Sequence, residues 1–166
     1  GLIFQTDIAG AGVTVTGNYT GSGGTTIQGN GTTTIVGGAG STNSGTISVG
    51  SGTFASGNLT GATVVLAPSG SSPTAYSPGG TGSLLNAHIH GFTVNTGSQL
   101  LFDLATGNQS DTITMATPMG GTSSPAFHFS STSNSTALGN STFTLLYTSA
   151  GAFNPLTPTF TTDTNL

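Results

Sequence analysis

The stretch GNYTGSGGTTIQGNGTTTIVGG, residues 17–38, contains two short threonine-rich runs separated by glycine and asparagine. Ile27 lies in the first run and Ile35 in the second, and each run has the length of one ordinary strand. Threonine and isoleucine favour extended backbone, whereas clusters of glycine and asparagine favour turns. The stretch therefore predicts short β-strands joined by tight turns.

The same alternation of apolar and polar residues recurs along the rest of the chain. Residues two apart on a strand share a face, so apolar residues with this spacing mark the side that faces the core. Glutamate, lysine and arginine, which favour helices, are absent, and no segment shows helical apolar spacing. We predict an all-β chain with these inward-facing sets: Val13/Val15, Ile47/Val49, Val64/Leu66, Phe92/Val94, Leu100/Phe102/Leu104, Ile113/Met115, Phe127/Phe129 and Phe143/Leu145/Tyr147.

The character of the chain changes near residue 68, where prolines and glycines become frequent. Pro68, Pro73 and Pro78 all lie in residues 67–83, which we interpret as a turn-rich loop. Longer strands and most of the aromatic residues follow it. We predict a strand or arm at 1–10 that is a candidate for exchange between subunits, one domain over 11–153 that includes the loop, and a tail or capping strand at 154–166.

Short strands with irregular spacing and small turn residues favour a β-solenoid, in which each coil stacks on the one before. Stacked coils place threonine, serine and asparagine side chains in ladders of hydrogen bonds, which need no ion pairs. The longer strands after residue 84 are also compatible with an antiparallel β-sandwich or a pilin-like jelly roll. The parallel solenoid is the fold we predict, and the sandwich is its alternative.

The charge composition excludes several functions. The chain has no lysine or arginine, and its only charged residues are Asp7, Asp103, Asp111 and Asp163. Nucleic-acid binding depends on cations that neutralise phosphates, and anionic membrane surfaces attract basic faces. We therefore expect neither nucleic-acid binding nor phosphate-handling chemistry. We also expect copies of the chain to associate, because soluble monomers generally keep charge on their surfaces.

Cysteine is absent, which excludes disulfides and thiolate chemistry but leaves an exported location open. No apolar run approaches the length of a transmembrane helix, and no signal peptide is visible at the start of the sequence. The apolar start, Leu2-Ile3-Phe4, is more typical of a mature product or a fragment than of a translation start. We expect an extracellular or cell-surface location.

Three segments carry a family resemblance. The stretch at 17–38 resembles the autotransporter-associated β-strand repeat of bacterial passenger proteins. The stretch GSQLLFDLATGNQSDTITM, residues 97–115, and the stretch STFTLLYTSAGAF, residues 141–153, are similar to the terminal strands of such regions, and the three occur in the family's order. The resemblance implies an exported, repetitive, right-handed parallel β-helix at a bacterial surface. This sequence differs from that family in lacking basic residues.

His88 and His90 form the only close pair of histidines. Two residues apart on a strand, both imidazoles can reach one metal ion, with His128 or Asp103 as a distant third ligand. The other interpretation is that both are polar strand residues beside a glycine bend. We predict no metal or cofactor and keep the pair as a candidate only.

Catalytic signals are weak. No G-x-S-x-G motif surrounds any serine, so the nucleophile elbow of a hydrolase is absent. Glycosidases need two nearby carboxylates, and only Asp103 and Asp111 are close in sequence. Both match strand and turn positions of the repeat family. We predict that the protein is not an enzyme.

Six N-x-[ST] sequons are candidate glycosylation sites, although such matches arise by chance in a chain rich in asparagine and threonine. They lie at Asn18, Asn30, Asn58, Asn108, Asn134 and Asn140.

The ends of the chain are candidates for subunit contact, because an uncharged β edge templates pairing with another strand. The candidate residues are Leu2, Ile3, Phe4 and Phe160. We predict a structural subunit or segment of an extracellular fibre, sheath or surface layer whose partners are copies of itself. The alternative is an adhesin segment that presents threonine and asparagine ladders and loop 67–83 to surface glycans, with Tyr19, Tyr76 and Tyr147 as its only tyrosine platforms for sugars.

Overall fold

The computed structural model describes residues 1–69, 72–80, 82–121, 125–131, 138, 141–150 and 159–162. Every regular element in these ranges is a β-strand. The strands are β1 (Leu2–Thr6), β2 (Gly12–Val15), β3 (Thr25–Gly29), β4 (Thr32–Ile35), β5 (Thr46–Val49), β6 (Gly52–Ser56), β7 (Asn58–Leu66), β8 (Thr74–Pro78), β9 (Asn86–Val94), β10 (Ser98–Ala105), β11 (Gln109–Ser110), β12 (Thr112–Met115), β13 (Ala126–Ser131), β14 (Leu146–Thr148) and β15 (Thr159–Thr162).

Two sheets run the length of the molecule, and the chain alternates between them. Sheet A has the strand order β1-β3-β5-β7-β9-β12-β14, and sheet B has the order β15-β13-β10-β8-β6-β4-β2. Neighbours in both sheets are parallel, and the short β11 pairs antiparallel with β10 beside this path. The fold is therefore a parallel β-solenoid, as predicted. The antiparallel sandwich is wrong, because consecutive strands join different sheets and each strand pairs with its counterpart in the next coil.

The strands form where threonine alternates with aliphatic residues. In β5, Ile47 and Val49 are buried while Ser48 between them faces outward, and β12 repeats this pattern with Ile113 and Met115. One face of each strand thus contributes to an apolar interior, and the other carries hydroxyl groups. This confirms the core assignments made from two-residue spacing in these strands.

The pairing of β7 with β9 in sheet A changes register part-way along the two strands. Asn58 and Leu59 at the start of β7 pair with His88 and Ile89, but after a register shift Thr63 pairs with Gly91. The first half of β9 also pairs with β12, over residues 86–89. β9 therefore pairs with β7 on one side and, over its first half, with β12 on the other.

The core of sheet B is a column of side chains at one register position, which we call the core column. Its interior contains a tilted ring pair, Phe54 with Tyr76, whose centroids are 5.7 Å apart, and Phe102 stacks on Phe127 beside it at 5.8 Å. Such offset aromatic pairs add to the stability that burial alone provides. The column consists of Val13, Thr33, Phe54, Tyr76, Leu100, Phe127 and Phe160.

The predicted loop at 67–83 needs correction. Residues Thr74–Pro78 form β8, which is buried along its whole length and pairs with β6 and β10. Pro78 is its last residue, and the next N–H, of Gly79, donates to the Ser56 carbonyl at 3.1 Å. The prolines that suggested a loop therefore bracket a central strand.

Three further predictions, for the N-terminal arm, the C-terminal tail and the last inward-facing set, can be compared with the structure. The predicted arm at 1–10 contains β1, which pairs with β3 of the same chain, and the predicted tail contains β15, which pairs with β13. The predicted inward-facing set Phe143/Leu145/Tyr147 is wrong for Tyr147. In β14 Leu146 packs against the core, whereas Tyr147 faces outward and is exposed.

Candidate functional site

The N-terminal end of the solenoid exposes an apolar edge. Among the described strands, β1 pairs only with β3, and β2 pairs only with β4, so each has one open side. Ile3 is 63% exposed and Ile8, in the turn between β1 and β2, is 73% exposed. Leu2 and Val13 are also exposed, whereas Phe4 is half-buried and packs against the core. Of the predicted contact residues, Leu2 and Ile3 are therefore accessible, and Phe4 is less so.

The C-terminal end exposes a second edge of the same kind. Within the described residues β15 pairs only with β13, and Phe160 packs its ring against Phe127 at 5.7 Å and Phe129 at 6.1 Å. The other side of Phe160 is open, since the residue is 65% exposed. Phe160 was predicted as a contact residue, and the structure makes it the outermost member of the core column.

Charge is scarce at both ends. Of the four aspartates, Asp7 is exposed in the turn after β1, Asp103 and Asp111 are buried, and Asp163 lies outside the described residues. The Gln5 side-chain amide donates to the Asp7 carboxylate at 2.9 Å. In the described part of the chain, the two open edges therefore carry little charge that would oppose pairing.

The two buried carboxylates meet in one cluster, which the sequence suggested only as a spacing. Asp111 accepts hydrogen bonds from the backbone N–H of Leu85 at 2.8 Å and of Asp103 at 2.9 Å. Asp103 accepts from the backbone N–H of Gly82 and of Ser83, and from the Ser130 hydroxyl. The carboxylates are thus occupied in fastening the 82–85 segment to β10 and β13.

This arrangement suits structural support better than glycoside cleavage. Burial raises the pKa of Asp111 from 3.8 to about 7, and the nearby charge of Asp103 adds to the effect, although the two backbone hydrogen bonds oppose it. A carboxyl group with a raised pKa can act as a general acid, but it must reach a substrate. Asp103 and Asp111 both face the interior, where backbone donors already hold them.

The histidine pair lies apart from the third ligands proposed for it. His88 is half-buried and His90 exposed on the outer face of β9, where Thr114 lies beside His88. His128 is on sheet B, where its Nδ1 lies 3.0 Å from the Thr161 hydroxyl. Among the described residues, no group of three histidine, cysteine or acidic side chains is placed to hold a metal ion.

The asparagines of the sequons differ in their hydrogen bonds and in their exposure. Asn18 accepts from the backbone N–H of Gly40 at 3.2 Å, and Asn30 accepts from the Ser72 hydroxyl at 2.7 Å. Asn58 is half-buried in β7, whereas Asn108 lies exposed in the turn between β10 and β11 with φ of 60°. Asn134 and Asn140 lie outside the described residues.

The three tyrosines are not equivalent as platforms for sugars. Tyr76 is fully buried in the core column, and Tyr19 is half-buried with its hydroxyl bonded to the Thr25 hydroxyl. Tyr147 is 55% exposed and aligns with Thr114 of β12 and, through it, with His88. A depression of about 140 Å³ lies beside His88 and Thr114.

Comparisons with protein-family models, with curated proteins and with solved structures return no match for this chain. No helix in the described ranges is long and apolar enough to cross a membrane. Among the described residues, the site with the clearest physical character is the pair of open, apolar, nearly uncharged edges at the two ends of the solenoid.

Proposed function

We propose that this chain is a structural subunit or segment of a bacterial extracellular fibre, sheath or surface layer, and that copies of it join end to end through their terminal coils. The observation that carries the proposal is that, among the described residues, the strand at each end has one unpaired side and exposed apolar side chains. Natural proteins normally protect such edges with charge, proline or a covering loop. The N-terminal edge β2 and the C-terminal edge β15 belong to the same sheet, so each offers what the other lacks.

The composition supports the same proposal. A chain without lysine or arginine has no site for trypsin-like proteases and little surface charge to change with pH or salt. Resistance of this kind suits an exported structural protein. The resemblance of residues 17–38 to exported β-repeat proteins is part of this proposal. It is the basis for the extracellular location that we propose.

The geometry of joining also follows from the fold. Contact between unlike ends is heterologous, and such contacts build open filaments when the rotation between subunits does not close a ring. A solenoid grows along its own axis, so end-to-end contact extends the two sheets of one copy into the next. We therefore expect unbranched filaments whose width equals that of one solenoid.

The test is the oligomeric state of the purified chain. Light scattering across a concentration series should show growth beyond the monomer, and electron microscopy should show thin filaments. Val13→Lys places a charge on the open edge of β2 and should suppress growth. Val36→Lys is the matched control, because Val36 is similarly exposed but lies beside neighbouring coils on both sides. A chain that stays monomeric at high concentration would overturn the proposal.

Glycan binding is the second candidate function, and the exposed Tyr147 is the observation that favours it. Aromatic rings stack on the apolar faces of sugars. Thr114 beside Tyr147, and His88 one strand further along the sheet, offer hydrogen-bonding groups. A glycan array tests this function directly. Binding that is lost in Tyr147→Ala would support it, and an array without a signal would exclude it.

A further inference from the structure

We infer that in this assembly β15 of one copy pairs in parallel with β2 of the next, with Thr159 opposite Gly12 and Phe160 opposite Val13. This inference rests on the proposed function and specifies its contact. It follows from the register of sheet B, which is continuous from one end of the chain to the other.

Through the whole of sheet B, the register aligns one residue of each strand with one residue of the next, so that paired residues form rows across the strands. Gly12 pairs with Thr32, Thr32 with Thr53, and Thr53 with Ala75. The same row continues from Ala75 to Gln99, then to Ala126 and Thr159. A further coil placed on β15 in this register therefore begins with a residue in the position of Gly12.

The core column shows what each end lacks. Interior members such as Phe54 and Tyr76 have a coil on both sides and are completely buried. Val13 and Phe160 have a described coil on one side only, and they are 37% and 65% exposed. When Val13 of one copy covers Phe160 of another, both acquire the environment of the interior members, and the exposed apolar area leaves water.

The backbone of the two strands fits this pairing. β2 and β15 each contain four residues, neither contains proline, and neither carries a charged side chain. The strands run in the same direction along the sheet, as shown by their parallel pairing with β4 and β13. A second copy in the same orientation can therefore pair with the edge N–H and C=O groups that have no partner among the described residues.

Pairing between like ends fits less well. Two β15 strands would meet antiparallel, as symmetry requires of an isologous contact. The coils on either side would then run in opposite directions, and the core column would end at the contact. A second copy joined through unlike ends is the occupant that continues both.

The absence of cysteine from the natural chain allows a direct test of the register. Thr14 and Thr161 both face outward and are exposed, and the inferred pairing places them opposite each other. Paired strands are about 4.8 Å apart, within the Cα separation that a disulfide spans. The variant carrying both Thr14→Cys and Thr161→Cys should form a ladder of covalent multimers on oxidation, which reductant should reverse.

The matched control carries Thr14→Cys with Thr159→Cys, which shifts the second cysteine by two residues, or about 7 Å, along the same face of β15. It should give several-fold less covalent multimer than the in-register variant. Thr161→Cys alone should give no covalent dimer. Circular dichroism and thermal unfolding of each variant verify that it folds like the natural chain.

The outcomes separate this inference from the proposed function. Equal cross-linking in both double variants, or efficient dimer formation by Thr161→Cys alone, overturns the register while light scattering still shows assembly. A folded chain that shows no assembly by light scattering overturns the proposed function and the inference with it. Cross-linking confined to the in-register variant supports both.

Discussion

The Asp111 carboxylate accepts a hydrogen bond from the backbone N–H of Asp103 at 2.9 Å, and the N–H of Asp111 donates to the carbonyl of Asp103 at the same distance. This reciprocal pair closes the turn between β10 and β12. The second carboxylate oxygen of Asp111 reaches the N–H of Leu85, in the segment that leads into β9. One buried acidic group thereby fastens two connections of the solenoid to each other.

The first prediction concerns pH. Burial raises the pKa of Asp111 to about 7, whereas in the unfolded chain it has its ordinary value near 4. Between these values the folded state holds a proton that the unfolded state releases. Stability is therefore highest below about pH 4 as far as this group is concerned, and it decreases as pH rises to about 7. Thermal unfolding at pH 4 to 8 should show a decreasing Tm that levels off above pH 7.

Asp111→Asn identifies the group responsible. The amide cannot ionise, so the decrease in Tm between pH 4 and 7 should be largely lost. The variant should also be less stable at every pH, because an amide group cannot accept from both backbone donors. A natural chain whose Tm rises across this range, or a variant that keeps the full slope, contradicts the assignment.

The second prediction concerns the buried hydroxyl pair of Ser56 and Tyr76, whose oxygens are 2.6 Å apart. Burial raises the pKa of the Tyr76 hydroxyl, so it stays protonated and able to donate. Tyr76→Phe leaves the Ser56 hydroxyl buried without this partner, which should cost about 1–3 kcal/mol in the free energy of unfolding. Urea denaturation measures the loss. The double variant with Ser56→Ala should recover part of it, and equal stability of the natural chain and Tyr76→Phe would contradict the bond's importance.

The third prediction is a substitution that should increase the free energy of unfolding. The Thr33 hydroxyl oxygen is buried in the core column and has no hydrogen-bond partner among the described residues. Thr33→Val keeps the shape of the side chain and removes the unpaired polar group, so it should stabilise the fold by about 1 kcal/mol. Thr34→Val, on the outer face of the same strand, is the control and should change stability little. A lower urea midpoint for Thr33→Val would indicate that the hydroxyl is bonded in solution.

The fourth prediction concerns Gly29, whose φ of 111° is unfavourable for residues with a side chain. A β-carbon at this position would also collide with the backbone of Thr6 in the neighbouring coil. Gly29→Ala should therefore lower Tm strongly. Gly10→Ala is the matched control, because Gly10 has a φ of 79° but open space around it. Equal losses in the two variants would mean that backbone conformation alone, without close packing of coils, sets the cost.

Much of the fold follows from the sequence because two-residue spacing marks the buried face wherever threonine separates aliphatic residues. β5 and β12 were predictable in this way. Tyr76 was missed because the prolines beside β8 resemble loop residues, and the burial of this strand depends on coils that precede and follow it. The face of Tyr147 was missed because Leu145, Leu146 and Tyr147 allow two registers, and pairing with β12 selects one.

The candidate site was predictable only in part. An uncharged β edge is visible in residues such as Ile3 and Phe160, but which edge matches which depends on the register of the whole sheet. The cluster of Asp103 and Asp111 was visible as a close spacing. The structural role of this cluster could not be predicted, because the donors at Gly82 and Ser83 belong to a distant segment that only the fold brings to the carboxylates.

The last prediction compares two phenylalanines of the core column. Phe54 is completely buried between two coils, so Phe54→Ala removes packing on both sides and should cost about 3–5 kcal/mol. Phe160→Ala removes a ring that is mostly exposed in the monomer, so the unfolding of dilute, monomeric protein should change much less. Phe160→Ala should weaken assembly, because we propose that Val13 of the next copy covers this ring. Light scattering should therefore show growth only at higher concentration. If Phe160→Ala assembles like the natural chain, the C-terminal edge does not join subunits, whatever the stability measurements show.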